Sequence, residues 1–143
     1  MFLLPETPKP NSVKPGNTYF IVDDDPDDQE LFVEALQGLD ETCNCITAFN
    51  GQEALQKLNE IPSSPTFIFL DLNMPRMNGK QFLAEIKKIK ILQDIPVIIY
   101  STSTDKKDIL DTIELGAVYF LEKPNRFNDL TKALSNIISR KWN

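Results

Sequence analysis

Five short apolar runs, nearly unbroken, punctuate this chain at residues 19–22, 45–49, 66–70, 97–100 and 117–121. Between them, apolar residues recur at helical spacing. The first such set is Leu31, Phe32, Ala35, Leu36 and Leu39. Ala54, Leu55 and Leu58 follow, then Phe82, Leu83, Ile86 and Ile89, then Ile109, Leu110 and Ile113. The last is Leu130, Ala133, Leu134, Ile137 and Ile138. Runs apolar at every position suit strands buried on both faces, and helices between them supply the cover. The pattern predicts an α/β unit, (βα)5, with one parallel sheet and helices on both faces.

Right-handed crossovers leave few topologies for such a unit, and the flavodoxin-like strand order 2-1-3-4-5 is the expected one. Local signals agree with the alternation. Asp25 or Asp27 is a helix start, Gly38 marks that helix's end, Asn50-Gly51 opens the second helix, and Thr104 is a candidate cap for the fourth, closed by Gly116. Residues 1–16 hold Pro5, Pro8, Pro10 and Pro15 and little apolar material, so a mobile or extended tail is expected there, with the folded unit over 17–143.

With 143 residues, there is enough chain for one full core and little for a second. No apolar stretch approaches the ~20 residues of a membrane span, and the start lacks a basic leader, so a cytoplasmic location without membrane attachment is expected. Cys43 and Cys45 flank Asn44 in a β-rich run, which should turn both thiols to one strand face. With no His in the chain, they read as reduced thiols rather than a metal site.

The formal charge of −6 is unevenly spread. Residues 16–56 contain ten acidic residues and no Lys or Arg, leaving the rest net positive. A net-acidic chain without a basic tract is a poor nucleic-acid binder. Its acidic half suits a divalent cation or a basic protein surface.

In a parallel sheet all strand C-termini share one edge. The first strand ends in Asp23-Asp24-Asp25, the third at Asp71, the fourth at Ser101-Thr102 and the fifth near Lys123. The first and third strands should be neighbours ~4.8 Å apart, which brings three carboxylates into one crevice. Such carboxylates repel unless a cation sits among them, and Mg2+, with oxygen ligands and retained waters, is the natural candidate. Ser101 offers a hydroxyl to an anion and Lys123 an ammonium. That set would support an acyl phosphate, with Asp71 as nucleophile.

These residues resemble the receiver domains of two-component response regulators, the CheY-like proteins. The matching stretches are Ile21-Val22-Asp23-Asp24-Asp25-Pro26, Leu70 through Gly79, Ile95 through Ser101, and Gly116-Ala117 through Lys123-Pro124. The resemblance implies that Asp71 accepts a phosphoryl group from a histidine kinase or a histidine phosphotransfer protein. It implies that Asp23 and Asp24 hold Mg2+ with Asp71, Asp24 the more direct ligand, and that the backbone carbonyl of Asn73 completes the shell. Ser101 would bind the phosphoryl group and shift on activation, and Lys123 would pair with the aspartate or its phosphate. The Lys123–Pro124 bond is often cis in this family. Phe120 stands where the switch aromatic is often Tyr, so it can swing inward but carries no hydroxyl. Thr102 follows Ser101 where a small residue is common. The Ser101-Thr102-Ser103 run resembles the short receivers that partner bacterial phytochromes.

The reading that follows is a single-domain regulator, not an enzyme in its own right, in which phosphorylation at Asp71 remodels the face of the fourth helix, fifth strand and fifth helix toward a downstream protein target. Ile109, Ile113 and Phe120 near that face leave a homodimer open. The acidic first helix (Asp27, Asp28, Glu30, Glu34) is expected to help dock the kinase or phosphotransfer protein. Three rivals stand beside it. They are a non-phosphorylated pseudo-receiver acting as a constitutive protein-binding module, an aspartate-nucleophile phosphatase, and a flavodoxin-like cofactor binder. The intact Asp23, Asp24, Asp71, Ser101 and Lys123 speak against the first. Asn73, which is no general acid, speaks against the second. The acidic run after the first strand, which repels phosphate, speaks against the third.

Overall fold

The computed structural model describes residues 16–74, 77–103 and 105–142. Strands β1 (Thr18–Val22), β2 (Asn44–Ala48), β3 (Phe67–Leu70), β4 (Val97–Ser101) and β5 (Tyr119–Glu122) alternate with helices. The helices are α1 (Pro26–Leu39), α2 (Gly51–Glu60), α3 (Gly79–Ile86), α4 (Lys106–Glu114) and α5 (Phe127–Ile138). All strands are parallel, in the order β2-β1-β3-β4-β5. The expected (βα)5 sheet is therefore the observed one.

The sheet divides the core in two. Tyr19, Ile21, Phe69 and Ile98 meet Phe32 and Leu36 of α1 and Leu130, Leu134 and Ile137 of α5. Phe20, Val22, Ile68 and Ile99 meet Ala54 and Leu58 of α2 and Phe82, Leu83 and Ile86 of α3. The central strands alternate between these clusters, so both their faces are buried. This is why their sequences are apolar at every position. Helix α4 packs against α3 and β5.

Element ends differ from the sequence reading by one to three residues. Asp25 caps α1, its carboxylate accepting from Asp27 N (2.9 Å) and Asp28 N (3.4 Å), with Pro26 in the first turn. Gly38 does not end α1, which runs on through Leu39 to a cap at Asp40 whose N–H still reaches Leu36 O. Asn50 caps α2 as expected. The fourth helix is capped by Asp105, which accepts from Lys107 N, and Thr104 lies outside the described residues. Ile89 falls in a turn beyond α3. The tail expected over residues 1–16 lies outside the described residues except for Gly16.

Three side chains expected at core spacing face outward: Leu31 on α1 and Leu110 and Ile113 on α4 are exposed. The two thiols do share a face, with Sγ atoms 3.9 Å apart, although Cys43 precedes β2 rather than sitting within it. Burial raises both thiols, Cys45 to about 12, which keeps them protonated. At the far end of the sheet Tyr19 Oη donates to Asp40 Oδ2 (2.9 Å), tying β1 to the end of α1. Trp142, past α5, donates Nε1–H to Ile137 O (2.9 Å) and sits 5.7 Å from the ring of Tyr119. Among the described residues no helix is long and apolar enough to cross a membrane.

Candidate functional site

Register sets the site. Val22 is paired with Leu70, so the next residues, Asp23 and Asp71, leave the sheet side by side. The ladder continues past the strand ends: Asp71 N donates to Val22 O (2.9 Å) and Asp23 N to Ala48 O (3.0 Å). Buried Gln29 then fixes this edge, its amide donating to Asp23 O (3.1 Å) and Ala48 O (2.8 Å). Asp25 starts α1 at once, which leaves Asp23 and Asp24 in a two-residue bend between strand and helix.

One carboxylate oxygen from each of Asp23, Asp24 and Asp71 lies within 4.8 Å of the others. Asp23 is 1% exposed and Asp71 5%, while Asp24 is open to solvent. Asp23 Oδ1 accepts from Asp25 N (3.0 Å), and Asp71 Oδ1 accepts from Asn73 N (3.3 Å). Asn73 is thereby held beside Asp71 in the loop leaving β3. A cavity of about 490 Å3 opens there, lined by Asp24, Asn73, Asn78, Lys80 and Asp108 among others.

Lys123 arrives from the end of β5, two strands away from β3. Its N–H continues the β4–β5 ladder by donating to Ser101 O (2.8 Å). Its Nζ lies 3.0 Å from Asp28 Oδ2, 3.2 Å from Asp23 Oδ2 and 3.7 Å from Asp71 Oδ2, and 4.9 Å from the centre of the Tyr100 ring. The cis Lys123–Pro124 bond expected from the resemblance is not present: the described residues contain no cis peptide bond. The trans form is the favoured one for X–Pro, and the long lysine chain reaches the carboxylates from it.

The electrostatics follow from burial and crowding. Burial pushes Asp71 from its ordinary 3.8 up to about 7, with the charges of Asp23 and Asp24 adding to the rise and Lys123 and the Asn73 N–H opposing it. Burial also raises Asp23, offset in part by Asp25 N–H and Lys123. Burial alone would lower Lys123, but Asp23, Asp71 and Asp28 more than reverse it and hold the ammonium above its usual range. Burial lifts the Tyr100 phenol to about 12, so that ring stays neutral beneath the ammonium. The carboxylates thus outnumber the one cation among them. An all-oxygen donor set of this kind fits a hard divalent cation, whose charge would offset the burial and the like charges that raise Asp71.

Ser101, fully buried, ends β4 at the same sheet edge. Its Oγ accepts from Ser103 N (3.1 Å), and Ser103 Oγ donates to Asp108 Oδ2 (2.8 Å). Phe120 pairs with Ile99 and packs, half-buried, against the α2–α3 side of the core. Pro75 and Arg76, between Asp71 and α3, lie outside the described residues.

Three contributors escaped the sequence reading. Asp28, read there as one of an outward acidic face, is a Lys123 partner. Tyr100, read as strand core, floors the ammonium. Lys80 bridges α3 to α4 through Asp108 (2.8 Å) and Asp111 (3.0 Å). Lys80 had a legible signal, since a cation in a helix's first turn opposes the macrodipole unless carboxylates elsewhere receive it.

Residues 19–135 match the family model described as the response regulator receiver domain. The chain belongs to that family. A receiver domain of this family is consistent with two-component signalling. Response regulator Rcp1 of Synechocystis sp. is 33% identical over 130 residues, covering 87% of this receiver and 88% of Rcp1. The Mn2+-bound form of Rcp1 superposes with a TM-score of 0.74 at 30% identity, over 86% of this chain and 92% of that one. The phosphorylated cyanobacterial phytochrome response regulator RcpA superposes with a TM-score of 0.78 at 32% identity, covering 85% and 90%. A protein-glutamate methylesterase/protein-glutamine glutaminase of Clostridium acetobutylicum is 36% identical over 122 residues, 84% of this chain. The receiver spans only 34% of that relative's length.

Proposed function

We propose that this receiver is a phosphorylation-controlled protein-interaction switch that takes a phosphoryl group on Asp71. The observation that carries the reading is the clustering of Asp71, Asp23 and Asp24 within 4.8 Å, with the Lys123 ammonium 3.2 Å from Asp23 and 3.7 Å from Asp71. Its similarity to RcpA and to Rcp1 supports the same reading.

In this mechanism an Asp71 carboxylate oxygen attacks the phosphorus of a donor phosphohistidine. The new O–P bond forms as the P–N bond breaks, and the departing imidazole takes a proton from solvent. Asp23, Asp24, Asp71 and the carbonyl of Asn73 would hold Mg2+, and that ion, when bound, supplies positive charge to the phosphoryl oxygens. Lys123 neutralises a further phosphoryl oxygen. Ser101 trades its Ser103 N–H for a phosphoryl oxygen, its hydroxyl now donating. Phe120 then turns toward the space that Ser101 and its loop have left, and the surface of α4, β5 and α5 changes shape. This is a shift between two packings of one fold.

The donor is a sensor histidine kinase or histidine phosphotransfer protein, and likeness to RcpA favours one of the phytochrome type. Glu30 and Glu34 stand exposed on α1, and among the described residues neither is in an ion pair. Reversing both to Lys should slow transfer from the cognate kinase, most of all at low salt. Equal transfer rates across a salt series would remove α1 from the docking surface.

The deciding experiment treats the protein with acetyl phosphate and Mg2+, then repeats the treatment on Asp71→Asn. A hydroxylamine-labile phosphoryl adduct, absent from the variant, is the expected result. No adduct would leave a constitutive binding module, and turnover of many phosphoesters would indicate a phosphatase.

A further inference from the structure

We infer that Asp28 is a positioning residue that holds Lys123 back from Asp71 in the resting site, competing with the incoming phosphoryl group for the ammonium. The inference rests on the proposed phosphorylation of Asp71 and adds a residue to it. Distance is the first argument. Lys123 Nζ is 3.0 Å from Asp28 Oδ2 but 3.7 Å from Asp71 Oδ2, so the lysine is nearer the helix carboxylate than the strand-end one. The second is placement. Asp28 sits on the third residue of α1, fixed by the Asp25 cap and by Pro26, while Gln29 beside it pins the same turn to the ends of β1 and β2. The carboxylate is thus presented to Lys123 by a rigid turn rather than by a loop. The third is exposure. The Asp28 side chain is 37% exposed against 2% for Asp23 and 6% for Asp71. Asp28 is the lysine partner that water can best take over, and so the one most readily given up.

The consequence has a sign. A phosphoryl group on Asp71 adds negative charge beside Asp23 and Asp24, and Lys123 is the cation positioned to meet it. Asp28 opposes that in two ways, by its own charge and by occupying the ammonium. Its removal should therefore favour the phosphorylated state, and a merely structural helix cap would not.

The test titrates beryllofluoride, a phosphoryl mimic, into the whole protein at saturating Mg2+, counting bound fluoride by 19F NMR. Asp28→Asn should lower the half-saturating concentration about five-fold, the scale of one partly exposed ion pair. Asp28→Glu, which restores the charge, should return it to the wild-type value. Asp27→Asn, a neutralisation one residue away that does not touch Lys123, should change it by less than about two-fold. Mg2+ affinity is measured separately by calorimetry without beryllofluoride, and Asp28→Asn should leave it the same or slightly weaker. The inference is overturned if Asp28→Asn leaves beryllofluoride binding unchanged or weakens it, or if Asp27→Asn tightens it as much. Failure of the wild type to bind beryllofluoride at all would instead bring down the phosphorylation of Asp71 and this inference with it.

Discussion

Asp71 leaves β3 into a buried pocket, and burial, aided by the nearby Asp23 and Asp24 charges, lifts it from its ordinary 3.8 to about 7. The sign of the resulting pH dependence follows directly. Below about pH 4 the group is protonated folded or unfolded, and its burial is harmless. As pH climbs toward 7 the unfolded chain ionises freely and the folded one resists, so stability falls across that window and the full penalty stands above it. Asp71→Asn cannot ionise. In metal-free buffer at pH 8 it should be more stable than wild type, by on the order of a few kcal/mol at most. The advantage should shrink steadily toward pH 4. Thermal melts across pH would check it, and a difference independent of pH would count against the burial account. Added Mg2+ should raise the wild-type Tm more than that of Asp71→Asn, since one carboxylate of the cluster is then missing. At this scale, convergence of Asp23, Asp24, Asp71 and Lys123 was legible because strand ends in a parallel sheet share an edge. Asp28 was not. Whether a first-turn helix residue faces inward or out depends on the helix phase set by Asp25 and Pro26, and on where Lys123 comes to rest, and a run of acids hides both.

Helix α3 begins against the loop that follows Asp71. A Cβ at Gly79 would come within 2.5 Å of Asp71 O and 2.7 Å of Leu72 Cα, both backbone atoms that cannot step aside. Gly79 N also donates to Leu72 O (3.0 Å). Gly79→Ala should therefore cost about 1–3 kcal/mol of stability and weaken Mg2+ binding by displacing the Asp71 loop. Gly38 is the counter-case, in the last turn of α1 with nothing within 4 Å of its added Cβ. Gly38→Ala should stabilise the protein by up to about 1 kcal/mol and leave Mg2+ affinity alone. Denaturant melts and metal titrations on the two variants separate loop geometry from helix propensity. The elements themselves were readable from period and caps, and the misplaced ends have one cause in common. Gly38, Ile89 and Thr104 were read from their own chemistry, whereas a helix ends where tertiary packing and the nearest competing cap allow. Asp40 and Asp105 supplied those caps.

Across the whole molecule, the carboxylate cluster and the exposed apolar side chains lie on different elements. The carboxylates crowd one sheet edge, while Leu110 (64% exposed), Ile113 (45%) and Tyr119 lie exposed on α4 and β5. Exposed apolar side chains of this kind suit a partner surface, which is the role the proposed switch would give them. If that surface joins two copies on activation, sedimentation velocity should show a larger dimer fraction with beryllofluoride and Mg2+ than without. Ile113→Asp should abolish the increase while beryllofluoride still binds. An unchanged monomer under both conditions would assign the surface to a different protein. The alternation of strands and helices and the cover on both sheet faces followed from the apolar runs, whereas the strand order was carried over from the flavodoxin-like fold. The exposure of Leu110 did not, because periodicity identifies a helix's apolar stripe but not how much of it the neighbouring elements cover.

Trp142 is the only tryptophan in the chain. It lies beyond α5 against the ring of Tyr119, with the Arg140 guanidinium 5.4 Å from its own ring. Light absorbed there is emitted from the β5–α5 corner and not from the aspartate pocket. The protein carries a built-in optical reporter beside β5. A change in emission or in acrylamide quenching when Asp71 is modified would measure how far the signal has travelled through the sheet, with no label attached.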